Sequence, residues 1–146
     1  MHGKSGARQK MKLKPNSLLK FSFILGAVID GAIAISWFFI AAGFTIPNIL
    51  NGHIGVGPDY QLAIYIAAMF MAGWAVLLAW GAIKPVERRG LLLITAGFLF
   101  LSIIVELVYF SNILGGIGFI FGVSKRLLLS LLFTGAYFYS LKPKES

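Results

Sequence analysis

The chain has 146 residues, 58% of them hydrophobic and 12% charged, with a mean hydropathy of +0.85. That leaves too little polar surface to cover a soluble globule, so lipid is the expected solvent, and one bundle uses nearly the whole chain as a single domain. The absence of cysteine excludes disulfides, thiolate metal sites and cysteine nucleophiles. The net charge of +8 falls in segments flanking the apolar runs, where topology and anionic headgroups account for it and nucleic acid is not the expected partner.

Residues 1–17 carry Lys4, Arg8, Lys10, Lys12 and Lys14 with almost no apolar side chain, and read as a basic cytoplasmic tail. Its cations serve as a topology signal, and membrane lipids with anionic headgroups are its natural partners, at about 1 kcal/mol per cation near the surface. The apolar run over 18–43 is too long for a cleavable signal peptide, whose core runs to roughly 7 to 15 residues, and is read as the first transmembrane helix. Asp30 lies near its middle, between Gly26 and Ala27 one turn before and Ala34 one turn after. A carboxylate on such a small-residue stripe is expected to face the bundle.

Residues 44–59, with Pro47, Asn48, Asn51, Gly52 and Pro58, form a loop without Lys or Arg. His53 stands alone there, so a solvated histidine is expected and no metal site. The glycines of this loop are in the wrong order for a dinucleotide fingerprint. The second helix, over 60–83, carries Ala68, Ala72, Ala75, Ala79 and Ala82 on one face, a surface for close helix packing. Trp80 near its end fits an interfacial anchor; Trp74 is too deep for that and is left to the bundle interior or to lipid.

The connection over 84–90, KPVERRG, restores charge and is expected to be cytoplasmic. Pro85 and Glu87 are compatible with a helix start ahead of Gly90. With the basic tail, this loop and the end segment 142–146 on one side, and two loops without Lys or Arg on the other, both termini are expected in the cytoplasm. The fold class is therefore all-α: a polytopic membrane protein with four transmembrane helices in one bundle, in the cytoplasmic (plasma) membrane.

The third helix, over 90–114, carries a stripe of Thr95, Ser102, Glu106 and Tyr109; the fourth, over 117–141, carries Gly118, Gly122, Arg126, Ser130 and Thr134 at spacings of four. Both stripes are expected to turn inward. Only Gly115 and Gly116 separate these helices, so they are antiparallel neighbours and depth can be counted from the turn. Glu106, Lys125 and Arg126 all fall about 12 to 14 Å from it at 1.5 Å per residue. Glu106 is expected to meet Arg126. Lys125 points about 100° away from Arg126, to reach another helix or to snorkel, and a cation at this level also reaches toward the deeper Asp30.

Asp30, Glu106, Arg126, Lys125, Ser102, Tyr109 and Ser130 are thus the candidate polar centre or substrate pathway. The expected function is a transporter or channel-like protein moving a small solute or protons through that centre, with no cofactor and no metal. Two alternatives stand beside it. One is a structural or accessory subunit whose buried charges only orient helices, with self-association or a partner membrane subunit through the small-residue faces. The other is a membrane enzyme acting on a lipid or isoprenoid-like substrate, weakened by the lack of a nucleophile with a neighbouring base.

Overall fold

The computed structural model describes residues 15–46, 55–110 and 116–141. Among the described residues the regular structure is all helical: α1 (Pro15–Ala41), α2 (Pro58–Gly81), α3 (Gly90–Tyr109) and α4 (Gly116–Tyr139), each long and apolar enough to cross a membrane. The tail cations 4–14, His53 with the loop segment 47–54, Gly115, and Lys142 and Lys144 lie outside the described residues.

The helix ends follow local chemistry. α1 begins at Pro15, whose missing N–H is no loss in a first turn. It stops at Ala41, two residues before the expected end. There Gly43 adopts a φ of +88°, and the Gly43 and Phe44 amides donate to the Ile40 and Phe39 carbonyls at 2.9 and 3.0 Å. This is a Schellman motif, and it is completed by the apolar contact such caps favour: the Phe39 and Phe44 rings stack edge to face at 5.7 Å. α2 opens with Pro58 and has Asp59 in its first turn, where a carboxylate complements the helix dipole. Before α3, the Arg88 amide donates to Lys84 O at 3.1 Å, a single helical turn in the place Pro85 and Glu87 suggested. α3 ends at Tyr109, five residues short of expectation, where Phe110 leaves the helical dihedrals at φ −122° and ψ 8° while its amide still donates to Glu106 O at 3.0 Å.

Helices that are apolar on every side cannot be oriented by the hydrophobic effect once in lipid, so small residues and polar groups decide which face turns inward. α1 packs along most of α2, and α3 along α4. α1 and α4 meet over a shorter stretch, and α2 barely touches α3. The densest packing lies at the end where the start of α1, the end of α2, the start of α3 and the end of α4 converge, around Phe23, Leu78, Leu92, Ala96, Leu129 and Phe133. On the alanine face of α2, Ala68, Ala75 and Ala82 are buried and Ala72 half-buried, but Ala79 is exposed.

The Phe23 ring fills the space beside the α2 backbone at Gly81 that a Cβ there would occupy. Gly26 makes similar room: its missing Cβ would sit 2.9 Å from the Phe133 ring and 3.0 Å from Leu78. Gly81→Ala is therefore expected to lower stability in detergent by about 1–3 kcal/mol through overpacking. At Gly73 a Cβ meets nothing within 4 Å, so Gly73→Ala is expected to be neutral or to stabilise by up to about 1 kcal/mol. Thermal unfolding of the two variants beside the parent checks the contrast.

Candidate functional site

Halfway along the bundle, away from the packed end, the helices leave a cavity of about 540 Å³ to which all four contribute. α1 supplies Ile29, Asp30, Ile33 and Trp37; α2 supplies Ala67, Phe70, Met71 and Trp74; α3 supplies Thr95, Phe98, Leu99, Ser102 and Glu106; α4 supplies Lys125, Arg126 and Leu129. Five of the seven sequence-derived candidates, Asp30, Ser102, Glu106, Lys125 and Arg126, thus share one chamber.

The most tightly built part joins α3 to α4. Arg126 Nη1 donates to Glu106 Oε1 at 2.6 Å and Nη2 to Oε2 at 2.5 Å, a two-pronged fork matching the carboxylate plane. Nη1 also donates to Ser102 Oγ at 3.2 Å, and Nε to Gly122 O at 3.2 Å. Ser102 sends its own proton to Leu99 O at 2.7 Å, so its oxygen is available to accept from the guanidinium. Both charged side chains are 14% exposed. The i, i+4 spacing of Ser102 and Glu106 on α3 stacks two acceptors on one face, and the same spacing of Gly122 and Arg126 on α4 lets the side chain run back over a bare backbone.

Lys125 and Asp30 line the same cavity from α4 and α1, and their opposite charges attract across it. Asp30 sits among the small residues its position suggested, with Gly26 and Ala34 buried beside it. On the opposite wall, Trp74 Nε1 donates to Thr95 Oγ1 at 3.3 Å while Thr95 donates to Leu91 O at 2.7 Å. Trp74 therefore belongs to the interior, edge-on to Phe98 at a centroid distance of 6.4 Å.

Two candidates fall elsewhere. Ser130 is buried but donates to Ala96 O at 3.0 Å across the α3–α4 seam, an arrangement that holds two backbones together and does not face the cavity. Tyr109 is the last residue of α3 and is 75% exposed; the polar stripe of this helix ends one turn earlier, at Glu106. Trp37, Phe70 and Met71 line the cavity without having been singled out. For Trp37 the signal was present, since it continues the Asp30 stripe one turn beyond Ala34; for the α2 residues no polar neighbour marked the face.

At the packed end, Arg88 lies over the Trp80 ring at 3.3 Å and donates to the Trp80 carbonyl, which holds the indole against the 84–90 connection. Arg89 donates to Ser140 O at 3.3 Å, just past the C-terminus of α4, where a cation complements the helix dipole. Among the described residues no group of three or more His, Cys, Asp or Glu is placed to hold a metal ion. No known protein family, curated protein or solved structure matches this chain.

Breaking a buried charge pair from one side leaves the other charge stranded, at about 3–5 kcal/mol, whereas replacing both partners with apolar residues of similar size is often neutral. Glu106→Gln and Arg126→Leu are each expected to destabilise the protein by several kcal/mol, and Glu106→Leu combined with Arg126→Leu to recover most of the loss. Detergent-challenge melting of the set measures the coupling.

Proposed function

We propose that the protein is a small membrane transporter that binds a solute in the charged central cavity and moves it with exchange of protons at Asp30 or Glu106. The observation that carries this reading is the cavity itself. At about 540 Å³ it is of the size that accepts a small organic ligand. Apolar walls with a few convergent polar groups are the usual chemistry of such sites, and ionisable groups held among apolar helices mark solute and proton pathways more often than structural joints. A carboxylate that exchanges partners between a cation and a solute supplies the coupling. In liposomes holding a pH-sensitive dye, a panel of small organic anions, cations and zwitterions is expected to contain members that drive proton movement. Asp30→Asn or Glu106→Gln is expected to cut that movement at least tenfold; full retention in both variants overturns the coupling.

The charge distribution supports placing both termini and the 84–90 loop on the cytoplasmic side of the plasma membrane. Because the chain contains no cysteine, single cysteines introduced at Ser5, Glu87 and Asn51 can be labelled without background. In intact cells a membrane-impermeant maleimide is expected to modify the Asn51→Cys protein and to spare the other two until the membrane is opened.

A second reading is favoured by one feature, the near-complete satisfaction of Arg126 by Glu106, Ser102 and Gly122 O. On that reading the fork is a clamp between α3 and α4 in an accessory subunit. A Glu106→Leu/Arg126→Leu protein that folds and keeps full proton-coupled flux would make the fork a clamp within a transporter and leave the coupling to Asp30; the accessory-subunit reading instead expects no flux from the parent protein with any solute of the panel.

A further inference from the structure

The cavity is not walled evenly. Asp30 and Leu129, on the α1 and α4 side, are buried, whereas Phe70 of α2 and Phe98 of α3 also line it yet are 77% and 62% exposed. α2 and α3 are also the neighbouring helices with the least mutual packing. The mouth is therefore the α2–α3 seam. Trp74 bridges the two helices at Thr95 and Phe98, and the exposed Phe70 lies one turn from that bridge on α2; Phe70 is the thirteenth of the 24 residues of α2 and Phe98 the ninth of the 20 of α3, so the seam opens next to the bridge, near the middle of both helices. At 1.5 Å per residue that level lies well inside a hydrocarbon layer of roughly 30 Å. A ligand using this mouth comes from the lipid phase.

Charge narrows the ligand further. Two carboxylates, Asp30 and Glu106, and two cations, Lys125 and Arg126, line the chamber, so its formal charge is balanced. A head group with a net charge would leave an uncompensated ion in an apolar surround, at considerable cost. A head group carrying both signs exchanges partners instead: its anion takes the place of a carboxylate beside Lys125 and Arg126, and its cation meets the carboxylate released. The polar groups sit deep and the aromatic rings at the rim, the order in which a head group and a hydrocarbon chain would be arranged.

We infer that the cavity is a binding site for a single-chain zwitterionic amphiphile, which passes through the α2–α3 seam and leaves its chain between Phe70 and Phe98. This rests on the transport reading for its biological use, but the binding itself requires no gradient and no flux.

The test uses the full chain in maltoside micelles, with Trp80→Phe so that Trp37 and Trp74, both on the cavity wall, are the remaining emitters. The probes share one brominated acyl chain and differ in the head: phosphoethanolamine in a lysolipid, a carboxylate, or a trimethylammonium. A fourth arm is glycerophosphoethanolamine without a chain, added as competitor. Saturable quenching by the zwitterionic probe, at least tenfold tighter than by either singly charged one and uncontested by the chainless competitor, is expected. Asp30→Asn should move the preference toward the carboxylate probe and Lys125→Gln toward the ammonium probe, each by tenfold or more, a reversal that general loosening of the bundle does not produce. Equal quenching by all three heads, absence of saturable quenching, or competition by the chainless head group each overturns the inference. Binding without flux in liposomes would leave the site standing and remove the transport reading; flux of water-soluble solutes without chain-dependent binding would do the reverse.

Discussion

A guanidinium placed among apolar helices needs acceptors around its plane, and the geometry of α3 against α4 follows from that need. Arg126 finds two carboxylate oxygens and a hydroxyl on α3 and a carbonyl on its own helix. A one-residue rotation of α3 would swing Glu106 about 100° around the axis, out of reach. The fork thus fixes register and rotation together, and Ser130 on Ala96 O repeats the constraint one turn further along α4. Each bond is modest by itself; with little water to compete, the cost of leaving any of these groups unpaired is what makes the arrangement specific.

At the opposite end the controlling feature is close approach. Phe23 against Gly81 and Phe133 beside Gly26 bring three helices together where a single methyl would intrude. The bundle is consequently dense at one end and hollow toward the middle, and the hollow coincides with the charged side chains.

The four helices were legible because apolar runs of 20 residues and more are a strong signal. Counting residues from a turn expected at Gly115 and Gly116 put Glu106 and Arg126 at one level, and the structure joins them there although α3 already ends at Tyr109 and Gly116 opens α4. Spacing turned Tyr109 inward with the rest of its stripe, but it is the final residue of α3 and stands exposed there, a turn beyond the fork at Glu106. Ser130 was on the right face, but a hydroxyl that can bond a neighbouring backbone need not face the space between helices, and spacing does not distinguish the two. Phe70 and Met71 carried no signal: in a helix of uniform hydropathy, cavity-facing and lipid-facing aromatics look alike. The opening between α2 and α3 was equally silent, being a property of how two hairpins diverge.

The charged groups of the cavity differ in what they connect. Glu106 and Arg126 belong to one hairpin, α3–α4; Asp30 and Lys125 belong to different ones. If the hairpins pivot about their packed end near Phe23, Asp30 stands on a lever arm of about 10 Å and Trp37 on one of about 21 Å, at 1.5 Å per residue. A swing of about 5° then shifts Asp30 by roughly 1 Å and Trp37 by roughly 2 Å against α4, while Glu106 and Arg126 travel together and stay in register. The first contact lies within one limb and the second separation spans the joint, so a change in the angle between the two limbs alters the distance from Asp30 to Lys125 and leaves the fork as it is.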